Sequence, residues 1–158
     1  VAEPRDSDNR DADIDDLSRI WERVVPMFSL MEGQLDRTLT RRHGVGLAPL
    51  MALGVLVGEH PGSVAVGGVA RRLGVSVSAA SRVLTHLESA GWTVRVAWPC
   101  DRRASRVAAT GAGLALWARA SRTLDRELDT AFRTLSFDER YAHVVARLCR
   151  AGEEPPAH

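Results

Sequence analysis

Residues 68–92 read GVARRLGVSVSAASRVLTHLESAGW, and their spacing decides the fold. Val69, Ala70 and Leu73 recur at helical intervals in a short segment that closes on Gly74. Ala70 is small enough for a second helix to cross closely, Gly74 supplies the turn, and Ser76 is a favoured N-cap. Ala80, Val83, Leu84 and Leu87 then mark one buried face of the next helix, which Gly91 ends. This is the spacing of a helix-turn-helix, although helical hairpins of other kinds produce it too.

The next residues make the pattern specific. Residues 92–98, WTVRVAW, alternate as a strand, with Thr93, Arg95 and Ala97 on one face and Trp92, Val94, Val96 and Trp98 on the other. A tip follows at 99–103, PCDRR, and residues 104–109, ASRVAA, return as the partner strand. A β-hairpin with a basic tip beside a helix-turn-helix is a winged helix-turn-helix. Such a tip can enter the minor groove next to the major groove that the second helix occupies. Arginine is drawn there by the negative potential of narrow A·T-rich sequence.

Outside this lobe the chain reads as long helices. Ile14, Leu17, Trp21, Val24, Phe28, Met31 and Leu35 recur at alternating spacings of three and four, a heptad-like seam with Pro26 inside it. Gly44 and Gly46 close that helix, and a second begins near Pro49 and ends near His60-Pro61-Gly62. Thr110 opens another long helix carrying Leu114, Trp117, Ser121, Leu124, Leu128 and Leu135. A last one is expected from the capping box Ser136-Phe137-Asp138-Glu139. The fold class is therefore mainly α with a small β-hairpin wing. The expected organisation is a disordered acidic tail (1–12), a winged helix-turn-helix lobe (47–109), flanking helical regions (13–46 and 110–151) and a frayed tail (152–158).

Charge supports this division. The 158 residues carry a net charge of +1, but residues 1–16 hold −5 and residues 71–106 hold +5. A basic block inside a near-neutral chain is an electrostatic footprint for a polyanion. Every basic residue except the histidines is arginine, which suits phosphates and guanine edges but is also what a GC-rich genome produces. No apolar run is long enough to span a bilayer and no secretory leader pattern opens the chain, so a cytoplasmic location and no membrane partner are expected. Cys100 and Cys149 have no metal-ligand spacing, and no hydrolase, zinc-protease or phosphate-loop motif occurs. Neither cofactor, metal nor enzymatic activity is expected.

Residues 68–92, then Arg95, then residues 101–113 (DRRASRVAATGAG) resemble the MarR/SlyA family of bacterial transcriptional regulators, whose pattern runs LA-x-x-LGVS, LE-x-x-G-L-V-x-R, then D-x-R. The resemblance covers roughly residues 14–150. It implies a homodimeric repressor on pseudo-palindromic double-stranded DNA, joined through the terminal helices and released by a small, often aromatic and anionic, effector. The seam from Leu17 to Leu35 is longer than one intramolecular partner can cover, which agrees with a dimer. By resemblance Asp101 and Arg103 brace the wing, and Arg102 points into the minor groove. Trp92, Ala48-Pro49 and Ala109 depart from the family pattern, in packing volume more than in chemistry.

The expected DNA-contacting set is Ser76, Ser78, Ala79, Ser81, Arg82, Arg95, Arg102 and Arg103. Arg82 is the one long cation on the polar face of the second helix, suited to a base edge or a phosphate. Its neighbours are short, and Ala79 can touch a thymine methyl. The expected effector cavity draws on Trp21, Phe28, Met31, His43, Met51 and Trp117, although aromatic and Met residues at such spacing also make ordinary core. Two further readings stay open: a thiol-based redox regulator using Cys100, whose thiolate the tip arginines would favour, and a winged helix used only for protein contact. An enzyme using either cysteine with a distant histidine is a third.

Overall fold

The computed structural model describes residues 7–97, 105–136, 141 and 142. Its elements run α1 (Ser7–His43), α2 (Leu47–Val57), β1 (Val64–Ala65), α3 (Val66–Leu73), α4 (Val77–Ser89), β2 (Thr93–Val96), β3 (Arg106–Ala109) and α5 (Gly111–Ser136). The mainly helical class with a small antiparallel sheet is as the sequence predicts. Two compact units divide it: Val1–Gly33 with Leu128–His158, and Gln34–Glu127.

In the larger unit, α2 is apolar on every side (LAPLMALGVLV), as a helix with neighbours around it must be. It buries Leu50, Ala52, Leu53 and Leu56 and packs against α3, α4 and β3. Val69 and Ala70 of α3, then Ala80, Leu84 and Leu87 of α4, complete the core of the helix-turn-helix. Val83, expected on the buried face, is half-buried. From α5 the buried side chains are Leu116, Ala120, Thr123 and Leu124. That stripe lies beside the expected one, because Ala120 and Thr123 pack inward while Leu114, Trp117 and Ser121 flank it half-buried.

The sheet has three strands where the sequence predicts two, in the order β1-β3-β2, all antiparallel. Val64 pairs with Val107, and Thr93 with Ala109. A two-residue strand shows no alternation, so β1 is invisible to period counting. Thr93 is 3% exposed, and its Oγ1 has no hydrogen-bond partner among the described residues. A buried hydroxyl without a partner keeps its desolvation penalty. Thr93→Val keeps the β-branch and removes that oxygen, so it is expected to raise stability by about 1 kcal/mol in a urea titration. A lower midpoint would contradict this.

In the smaller unit, Met27 and Met31 are buried against Leu128, Ala131, Phe132, Leu135 and Tyr141. The seam read from periodicity is only partly core. Met31, and Leu35 in the other unit, are buried, whereas Trp21 is 68% and Phe28 47% exposed, and Met27, outside the seam, is fully buried. The helix also starts earlier than expected, at Ser7 and inside the acidic stretch read as a disordered tail. An acid-rich stretch suits the N-terminal end of a helix, where the dipole is positive. The last helix expected from Ser136 lies outside the described residues apart from Tyr141 and Ala142, and Ser136 itself ends α5. Among the described residues no helix is long and apolar enough to cross a membrane.

Candidate nucleic-acid interface

The interface is built from the turn between α3 and α4. Gly74 adopts φ 67°, the left-handed conformation that a side chain disfavours, and Val75 N–H donates to the Ala70 carbonyl at 3.1 Å. Ser76 then caps α4: its backbone is extended and its Oγ accepts from Ala79 N–H at 3.2 Å. With Ala80, Leu84 and Leu87 turned inward, the opposite stripe of Ser78, Arg82, Thr85 and Ser89 is exposed. Ser76 is exposed too, while Ala79 and Ser81 are half-buried.

Arg82 is exposed and makes no hydrogen bond or ion pair with any described residue. Among the described residues nothing accepts from its five N–H donors. The short side chains around it let another surface come close to the helix. The stripe is small, polar and singly cationic, which suits a groove floor of mixed donors and acceptors between phosphates.

The wing stands next to it. Arg95 on β2, expected as a DNA contact, is already engaged within the chain. Its Nε donates to Glu88 Oε2 at 3.0 Å, its Nη2 to Thr85 Oγ1 at 3.4 Å, and its Nη1 to Ser105 Oγ. Sequence reasoning missed Glu88, Thr85 and Ser105 in this role. An open groove of about 360 Å³ lies at the wing base, lined among others by Val77, Ser81, Arg95 and Ser105. The wing tip, with Cys100, Asp101, Arg102 and Arg103, lies outside the described residues, as does Cys149.

The start of α5 is fastened to this lobe. Thr110 N–H donates to the Trp92 carbonyl at 3.1 Å, Thr110 Oγ1 donates to the Gly91 carbonyl at 2.8 Å, and the same oxygen accepts from Gly113 N–H at 3.1 Å. Gly91 has φ 75°, which lets the chain leave α4 sharply into β2.

A family model described as the MarR family matches residues 43–104. The match spans α2 to β2, the helix-turn-helix included. No match to a curated protein sequence reaches significance. Among solved structures, the fold is similar to that of S. aureus MepR, crystallised as a MepR–DNA complex, at a TM-score of 0.68 and 20% identity, covering 83% of this chain and 95% of that one. Sco3205, a MarR family transcriptional regulator from Streptomyces coelicolor in complex with DNA, gives 0.65 and 22%, covering 88% and 89%. A mutant MarR from E. coli complexed with operator DNA gives 0.62 and 18%, covering 83% and 94%.

The six residues expected around an effector are distributed over the MarR-type fold as follows. Trp21, Phe28 and Met31 belong to the smaller unit, the first two exposed and Met31 buried beside Met27. His43, Met51 and Trp117 belong to the larger. His43 is the last residue of α1, half-buried, with Nε2 2.8 Å from Thr123 Oγ1. Met51 is 42% exposed, and Trp117 lies so close over Gly54 that a Cβ there would meet the indole at 2.5 Å. None of the six lines the groove at the wing base.

Proposed function

We propose that this protein is a dimeric, DNA-binding transcriptional regulator. The observation that carries the reading is the outer stripe of α4: exposed, built of short polar residues, and holding one arginine with no described partner. In this reading α4 enters the major groove with Ser76, Ser78, Ala79, Ser81 and Arg82 nearest the bases. Arg102 at the wing tip enters the adjoining minor groove, and Asp101 with Arg103 braces the tip. The related folds crystallised with DNA support it.

The dimer is supported by apolar surface that the described residues leave uncovered. Trp21, Val25 and Phe28 stand at helical spacing on α1, 68%, 40% and 47% exposed. Aromatic side chains in such a stripe contribute most of their burial energy only when a partner covers them. Two copies present two recognition helices, and a symmetric protein reads a symmetric site. Regulation by a small anionic aromatic effector acting as a releasing signal completes the proposal, with His43, Met51 and Trp117 of the larger unit as candidate contacts. In this reading the protein acts on DNA in the cytoplasm and performs no catalysis.

Enrichment of a randomised duplex library by the full chain, followed by sequencing, tests both parts together. The expected product is a pseudo-palindrome whose half-sites lie about one helical turn, roughly 10 base pairs, apart. Failure to enrich any sequence would overturn the reading.

A further inference from the structure

Glu88, Thr85, Arg95 and Ser105 form one connected polar cluster where α4 meets the wing. Glu88 and Thr85 belong to the recognition helix, Arg95 to β2, and Ser105 immediately precedes β3. A single guanidinium therefore ties α4 to both strands of the wing. The side chains of Arg95 and Glu88 are 39% and 36% exposed, so as an isolated surface ion pair they contribute little to stability. Their geometric content is larger, because a planar fork with fixed N–H directions, held at three points, sets an angle.

We propose that Glu88 is a positioning residue for DNA binding: its carboxylate orients the Arg95 guanidinium, which holds the wing at a set angle to the recognition helix. The proposal rests on the DNA-binding reading above. Helix and wing are to engage adjacent grooves, so their mutual angle decides whether both engage at once. A wing free to swing would have to be ordered at the moment of binding, and that cost would appear as lost affinity.

The alternative is that Arg95 is a plain phosphate contact and Glu88 a solvated acid. The two accounts differ in sign. An acid beside a DNA-facing helix repels phosphates, so if only its charge matters, removing it tightens binding. If it holds the clamp, removing it weakens binding.

The test uses the full chain and, as probe, the duplex enriched from the randomised library, titrated by fluorescence anisotropy at two salt concentrations. Glu88→Ala is expected to weaken binding about fivefold while leaving the melting temperature in place, since alanine is the best helix former. Arg95→Lys is expected to lose as much as Arg95→Ala, because a point charge cannot reach three partners in fork geometry. Adding Glu88→Ala to Arg95→Ala should cost nothing more. Equal or tighter binding by Glu88→Ala would overturn the clamp. So would wild-type affinity in Arg95→Lys together with a salt slope reduced by about one in Arg95→Ala. A wild-type chain that enriches no duplex refutes the DNA-binding reading itself; a wild-type chain that binds, with Glu88→Ala indifferent, refutes the clamp alone.

Discussion

Replacing Arg82 with alanine is expected to lower affinity for the enriched duplex by about 1–3 kcal/mol per half-site, and the loss doubles on a symmetric site bound by a dimer. Arg82 is the long cation of the exposed α4 stripe and has no described partner to lose, so the folded chain should melt as the wild type does. The loss should also be selective. If the guanidinium reads a base edge, discrimination relaxes at one defined position in each half-site, while affinity for scrambled duplex changes far less. If it binds only phosphate, both duplexes lose affinity equally and the salt slope falls by about one per contact. Unchanged affinity on both would remove α4 from the interface.

The largest effect on folding is expected from Gly113→Ala. A Cβ at residue 113 would stand 2.1 Å from the Trp92 carbonyl oxygen and 3.2 Å from Leu53 Cδ1. The first of these neighbours is backbone, and it already accepts the Thr110 N–H, so it cannot move aside without breaking the junction between α5 and the α4–β2 turn. Alanine's higher helix propensity, about 1 kcal/mol over glycine, works in the opposite direction and is too small to compensate. A net destabilisation of about 3 kcal/mol or more is expected, seen as a lowered denaturation midpoint. Gly111→Ala is the control, since nothing lies within 4 Å of a Cβ there. A midpoint as in the wild type for Gly113→Ala would show that the α5 junction yields more easily than described.

The parts of this fold that were readable in sequence are those whose cause is local. Ser76 caps α4 because its own side chain reaches Ala79 N–H three residues on, and Gly74 and Gly91 sit where the chain turns with positive φ. The parts that escaped are made by residues far apart in the chain. His43 meets Thr123 across 80 positions, and Arg95 meets Ser105 only because the hairpin folds back. Periodicity reports that a face is apolar but not what covers it. The seam through Trp21 and Phe28 is therefore legible as a stripe, while its exposure, and the burial of Met27 outside it, are properties of the packed helices. Arg95 is the clearest case at the candidate interface: its residue type suggested a DNA contact, whereas its position supplies three partners inside the chain.

The central claim, that this winged helix binds DNA by sequence, is tested most directly by titrating the wild-type chain on the enriched duplex and on a scrambled duplex of the same composition, at two salt concentrations. Affinity for the enriched duplex is expected at least about 10³-fold above that for the scrambled one, with both falling as salt rises. Equal affinity for the two duplexes, or no binding to either at low salt, would contradict it.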